Sequence, residues 1–524
     1  MSLELFLKQQ NEKMKELATA YSLASWKAAT TGEEEWSKKT GEAGVAYSKY
    51  FSSSDLFQQV KEYLDAGVTD PVQKRELNLL YSDIVGNQLP EETLTELVSL
   101  STELNSTFNT FRAEIKGEPV SENEIRKILG NSTDLTEREE AWHASKQIGA
   151  EVEEKLITLI KKRNEAARSL GYANHHQMAF ELQELDRDFV FSTFKKLKET
   201  TDEPFRKVKQ ELDEELSERF NITVNDLRPW HYSDPFFQEA PNVKGLDIDP
   251  YYKGKDIEQI TIDTFSAMGL DITHLIKNSD LYPRDKKNQH AFMSNIDHSG
   301  DIRVLCNIDE SSYWMDTMLH EFGHAIYDDL VNPKLPFSLR KYSHILSTEA
   351  IAMYYGRMGK SPEWLQKFVE IDAETIERLT PKLERLLQRQ MLISARWIMT
   401  FVFFERELYE NPDQDLNALW WKIVNDVQFI NPPNDTDYPH WAAKIHFCIA
   451  PVYYQNYLLG ELTASQLDIY IKRNVSMDTY TPEVGSFLEK EYFYLGSSVD
   501  WITKIEKVTG EKLNPTYFVN QFAK

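Results

Sequence analysis

Residues 318–327 read M-L-H-E-F-G-H-A-I-Y. Two histidines, His320 and His324, stand four apart, and Glu321 directly follows the first. On a helix, positions i and i+4 project from one face a turn apart, so both imidazoles can reach one metal ion. Glu321 is turned by roughly 100° from His320 and can approach a water on that ion. With 12 histidines in 524 residues, chance would place this pattern on the order of 0.01–0.02 times in such a chain. Met315, Met318, Leu319, Phe322, Ala325, Ile326 and Leu330 flank it, the apolar content of a buried helix. The plainer alternative is a pair of structural histidines hydrogen-bonded in a core.

The rest of the composition narrows the classes. A chain of 524 residues and 61.1 kDa can bury a large core, and its length suggests two to four domains. The net charge of −25 argues against nucleic acid or an anionic membrane surface as partner. Two cysteines, Cys306 and Cys448, are too few for a disulfide framework and suit a reducing compartment, which predicts a cytoplasmic protein. The first residues, MSLELFLKQQNEKMKELAT, carry charges and no apolar core of a signal peptide. Arg396 interrupts the longest apolar run, Met391–Phe404, so no membrane span is expected.

Along the chain the pattern is helical. Stretches with a 3.6-residue period run over 3–24, 55–66, 89–115, 136–170, 191–218, 361–410 and 464–473. Turn signals separate them at 117–119, 130–132, the proline-rich 228–255, 332–336 and 431–439. No composition break divides the chain, so 1–524 reads as a single unit, with the H-E-x-x-H motif and the other chemistry-bearing stretches gathered in 285–460. One region departs from the helical rule. HAFMSNI at 290–296 and DIRVLCNI at 301–308 flank D-H-S-G, which predicts a β-hairpin. Such a strand beside a metal helix could pair with the backbone of an extended peptide; equally, it could be a small structural hairpin covering a helix end.

A catalytic zinc takes three protein ligands and keeps one position open. After the loop 332–337, S-T-E-A-I-A-M-Y-Y at 347–355 restarts a helix, with Ser347 or Thr348 as its N-cap. Glu349, 25 residues after His324, is the candidate third ligand. Asp328, Asp329 and His344 are its rivals, and Asp328 is placed to orient a histidine from behind. Glu321 would then take the proton of the attacking water and pass it to the leaving amine. Donors to the oxyanion are sought in H-W-A-A-K-I-H-F-C-I-A-P-V-Y-Y-Q-N-Y-L-L-G at 440–460, which gathers two histidines, a lysine and three tyrosines. The alternative there is a buried aromatic helix with satisfied hydroxyls.

These residues together resemble the gluzincin zinc metallopeptidases of the angiotensin-converting-enzyme type (the peptidyl-dipeptidase A family). They also resemble the oligoendopeptidase F and thimet oligopeptidase group. H-E-F-G-H-A-I-Y at 320–327 and T-E-A-I-A at 348–352 are similar to the segments carrying the zinc ligands. R-N-E-A-A-R-S-L-G-Y at 163–172 is of a type shared by both groups. H-A-F-M-S at 290–294 stands 30 residues before His320, as a substrate-contacting strand does in the converting enzymes. K-I-H at 444–446 and Y-Q-N-Y at 454–457 resemble their lysine, histidine and paired-tyrosine segment.

The resemblance implies roles residue by residue. His320, His324 and Glu349 would bind one Zn²⁺ per chain, and Glu321 would be the base. Tyr457 and His446 would stabilise the oxyanion. His290 and Ala291 would pair with substrate backbone, while Lys444 and Tyr454 would hold a C-terminal carboxylate. Departures are visible too. Met353 stands where the converting enzymes carry an aspartate four residues after the third ligand. Gln455 and Asn456 fill the gap in which they carry a chloride-binding arginine. The glutamine that helps grip the carboxylate has no clear counterpart, Trp230–Tyr232 being the loose equivalent.

The expected fold is mainly α and zincin-like, with two helical lobes around a deep active-site cleft and a small β-sheet on one wall. Residues 1–110 could form a helical lid that admits only short peptides. The expected activity is zinc-dependent hydrolysis of short peptides with release of C-terminal dipeptides. An oligoendopeptidase cutting internally is the alternative, and a non-catalytic peptide-binding protein a remote one.

Overall fold

The computed structural model describes residues 1–241, 243 and 245–523. It is 69% helical, with two small two-stranded antiparallel sheets among the described residues, so the fold is mainly α. Among the described residues no helix is long and apolar enough to cross a membrane. The chain forms two compact units, each assembled from separated stretches. The first takes 1–88, 245–383 and 459–517, and the second takes 89–244, 384–458 and 518–524.

In the first unit, four helices come first: Leu3–Thr31, Glu34–Phe51, Ser54–Ala66 and Pro71–Val85. The opening helix outruns the expected 3–24 and stops where Gly32 turns left-handed at φ +63°. Glu34–Phe51 was not anticipated: Gly41 and Gly44 lie in its interior, where glycine disfavours a helix. These helices are tied to the loop that follows the H-E-x-x-H segment. Asn11 donates to buried Glu76 at 2.6 Å and accepts from the Ser338 N–H at 2.7 Å.

Helix Ser312–Asp329 runs through the core of this unit. Ser311 caps it by accepting from the Trp314 N–H at 3.4 Å, and Met315, Met318, Leu319, Phe322, Ala325 and Ile326 are fully buried. Against it packs helix Ile345–Met358. The expected cap at Ser347 or Thr348 is corrected: His344 caps this helix, its Nδ1 accepting from the Leu346 N–H at 3.1 Å. Ser347 and Thr348 are therefore buried inside the helix. Glu349 sits past the first turn, where the helix dipole alone does not explain an acid.

The expected hairpin is present but shorter than its sequence pattern. Strand Phe292–Asn295 pairs antiparallel with Ile302–Leu305 in the register Phe292↔Leu305 and Asn295↔Ile302. The intervening turn holds His298 at φ +49° and Gly300 at φ +115°. His290 and Ala291 lie just ahead of the strand instead of within it.

The second unit is built on two long helices, Leu135–Ser169 and Arg187–Phe220, capped by Asp134 and Asp186. With them go Glu91–Thr110, Leu416–Gln428 and most of Ala373–Glu410. Two expected helices are corrected, one in this unit and one whose break lies in the first. The one predicted over 89–115 ends at Thr110, and Ala113–Ile115 pairs with Glu118–Val120 across a turn whose Lys116 and Gly117 are both left-handed. The one predicted over 361–410 breaks after Phe368, where Glu370 takes φ +62°, and resumes at Ala373.

Candidate active-site residues

The first unit brings His320, His324 and Glu349 together, with one donor atom from each lying within 4.8 Å of the others. His320 Nε2 is 3.9 Å and His324 Nε2 4.0 Å from Glu349 Oε2. Donors on one tetrahedral zinc stand about 3.3 Å apart, so a small contraction closes the set. Glycine makes this approach possible. A Cβ on Gly323 would meet Ala352 Cα at 3.0 Å, Tyr355 Cδ2 at 3.1 Å and the Ile351 carbonyl oxygen at 3.3 Å. Only a residue without a side chain lets the two helices come so near, and that nearness carries Glu349 to the histidines.

The protonation states fit a metal. Burial lowers His320 to about 4 and His324 well below the ordinary imidazole value, so both are neutral with a free lone pair. His324 Nδ1 lies 2.7 Å from Thr348 Oγ1; with the hydroxyl accepting, Nε2 is left open towards Glu349. Burial raises Glu349 to about 7. Glu321 is raised to about 8 by burial and then by the charge of Glu349, while a hydrogen bond from the Met293 N–H opposes the shift. That bond joins the helix glutamate to the outward edge of the strand Phe292–Asn295.

The rivals for the third position serve elsewhere. His344 caps a helix, and Asp329 lies 3.1 Å from His274 Nε2. The reading of Asp328 as a histidine partner is corrected: its Oδ2 accepts from Asn295 Nδ2 at 3.0 Å, tying the metal helix to the strand, and Thr348 holds His324 instead.

Of the expected substrate residues, Lys444, His446, Tyr454 and Tyr457 belong to the second unit. Lys444 Nζ donates to Gln238 Oε1 at 2.7 Å and lies 5.0 Å over the ring of Trp397 and 5.9 Å over that of Tyr454. Burial lowers it to about 8, with Asp234 pulling the other way. Tyr454 accepts from Trp397 Nε1 at 2.9 Å and stacks on Phe401 with centroids 4.2 Å apart. The ring of His446 is 5.1 Å from Tyr454. Its Nδ1 is buried with no hydrogen-bond partner among the described residues, and burial followed by Lys444 lowers it to about 4. Tyr457 packs its ring 5.4 Å from both Tyr453 and Tyr454.

Gln238 is the residue that sequence reasoning missed. Buried Asp234 accepts from the backbone N–H groups of Phe236, Gln238 and Glu239, at 2.9, 3.0 and 3.1 Å, and bends the chain so that Gln238 faces Lys444. The turn-forming Asp234–Pro235 pair was the available signal. Trp230–Tyr232 does not fill this place. The carbonyls of Trp230 and Tyr232 accept from buried Arg138, and the Tyr232 hydroxyl lies between Lys209 and Asp213.

A second group, His143, Asp435 and His440, also holds three donor atoms within 4.8 Å. Trp421 Nε1 donates to His440 Nδ1 at 3.1 Å, and burial keeps His440 neutral. The imidazole proton therefore sits on Nε2, which faces Asp435 3.6 Å away and offers no lone pair to a metal.

Comparison with known families agrees with the first group. No curated protein is similar enough to count as a match. The family model described as angiotensin-converting enzyme, Peptidase_M2, matches residues 1–212, and that of peptidase family M3 matches residues 128–524. With a metal-capable His–His–Glu group and the greater part of its length matched, the chain belongs to peptidase family M3 and is a zinc metallopeptidase, a peptide hydrolase.

Proposed function

We propose that this peptidase releases dipeptides from the free C-termini of short peptides, holding one zinc through His320, His324 and Glu349. The observation that carries the dipeptide mode is Lys444, a nearly buried ammonium held against Gln238 beside Tyr454. A cation so placed, with an amide and a phenol at its side, suits a carboxylate, which accepts charge-assisted hydrogen bonds. A carboxylate fixed in register would determine which peptide bond is cut.

Zinc bound at the three ligands would polarise the scissile carbonyl and lower the pKa of water. The chain's own residues supply the rest. Glu321 takes a proton from the attacking water and hands it to the leaving amine. His446 and Tyr457 stabilise the oxyanion, a role worth roughly 10²–10³ in rate per donor. His290, Ala291 and the outward edge of Phe292–Asn295 pair with substrate backbone, displacing the Met293–Glu321 bond. Two buried free thiols, Cys306 and Cys448, support a reducing, cytoplasmic setting.

Internal cleavage is the second reading, favoured by the long match to family M3 and by Gln455–Asn456 between the tyrosines. Peptides of about 5–15 residues, offered with free or amidated C-termini and read by mass spectrometry, separate the two. Serial loss of dipeptides blocked by amidation supports the proposal; internal cuts indifferent to amidation support the second reading.

A further inference from the structure

Between His446 and Tyr454 the chain passes through a residue in an unfavourable conformation. Val452 is buried and adopts φ +52°. A β-branched residue in the left-handed region is a true outlier, and it persists only where its surroundings over-determine it. Here they do. The Val452 N–H donates to Glu405 Oε1 at 2.9 Å. Its carbonyl accepts from Gln183 Nε2 at 2.9 Å and Gln455 Nε2 at 2.8 Å. Gln183 Oε1 in turn accepts from Asn456 Nδ2 at 3.1 Å, within the Tyr454–Tyr457 segment. The other flank is pinned as well: Arg163, from the R-N-E-A-A-R stretch, donates to the carbonyls of Phe447 and Cys448 at 2.9 and 2.6 Å.

We infer that Glu405 and Gln183 are positioning residues that hold Val452 in its left-handed turn and thereby set Tyr454 in register with Lys444 for recognition of a free C-terminal carboxylate. Neither residue reaches the carboxylate grip itself; each acts through the turn. Gln183 works from the end of helix His175–Leu182, and Glu405 from Ala373–Glu410, the helix that also carries Trp397 and Phe401 against Tyr454. One backbone unit is thus clamped from two helices, two residues before the tyrosine it orients. Burial pushes the Glu405 carboxyl up to about 8, with the Val452 N–H and Arg163 opposing, so an amide at this position would offer the same acceptor at neutral pH.

The inference rests on the carboxylate reading of Lys444, and its test separates the two. The readout is the ratio of kcat/KM for a free peptide to that for its C-terminal amide, in wild type, Glu405→Leu, Gln183→Leu and Glu405→Gln. In the expected result, wild type favours the free peptide. Both leucine variants then lose at least tenfold of that ratio, through a raised KM for the free peptide alone, and Glu405→Gln keeps it. Should Glu405→Leu fail to fold, Gln183→Leu, at a half-buried helix end, carries the test. A wild type with no preference for free peptides overturns the carboxylate reading and this inference together. A wild-type preference that both leucine variants retain, whatever their overall activity, overturns the inference alone.

Discussion

Gly323→Ala sets two effects of opposite sign against each other. Alanine in a helix interior is favoured over glycine by about 1 kcal/mol, so a tolerated substitution would stabilise the protein. At Gly323 the new Cβ would stand 3.0 Å from Ala352 Cα and 3.3 Å from the Ile351 carbonyl oxygen, both backbone atoms that cannot rotate away. Carbon atoms pack best at about 3.5–4.0 Å, so the helices must separate by roughly half an ångström. Overpacking of this kind costs about 1–3 kcal/mol, which outweighs the gain in helix propensity. Glu349 rides on the displaced helix, already 3.9–4.0 Å from the two histidine nitrogens. A metal site is held to about 0.5 Å, so the shift should weaken it. The expected result is a zinc dissociation constant raised about tenfold, close to 1.4 kcal/mol, together with a lower Tm. Competition with a chromophoric chelator measures the first and thermal unfolding the second. A raised Tm with unchanged zinc affinity would refute the packing argument.

Other outcomes follow from single residues. Lys444→Gln removes a charged donor worth roughly 1.5–3 kcal/mol, so steady-state kinetics should show kcat/KM for free peptides falling about 10–100-fold while amidated peptides are little affected. Because burial lowers Lys444 to about 8, its charge is present below that pH and lost above it. The KM for free peptides should therefore climb as pH rises past about 8, and pH profiles with amidated peptides should lack this limb. Thr348→Val leaves His324 Nδ1 without its partner and should weaken zinc binding about 10–100-fold by chelator competition, with Thr348→Ser restoring it.

The parts legible in the sequence were those whose signal is local. H-E-F-G-H places two side chains on one helical face whatever surrounds them, and the hairpin follows from alternation around a turn-forming D-H-S-G. Glu349 could be nominated, yet its approach to the histidines depends on Gly323 at a helix crossing, a packing fact with no periodic signature. Helix Glu34–Phe51 escaped notice because Gly41 and Gly44 interrupt it with residues that disfavour a helix. Gln238 was hidden for a different reason. It lies 206 positions from Lys444 and is aimed by a turn that Asp234 builds from backbone hydrogen bonds. Likewise Asp328 read as a histidine partner by spacing alone, and only the strand's Asn295 reveals its true neighbour.

Glu321→Gln offers the most direct test of the account, because it removes the base and leaves His320, His324 and Glu349 in place. Zinc content by elemental analysis and peptide turnover would be measured on the same preparation. The account predicts about one zinc per chain, as in wild type, with turnover reduced by roughly 10²–10⁴, the usual contribution of a general acid–base group. Turnover near the wild-type rate would show that the proton passes elsewhere and would contradict the assignment of Glu321.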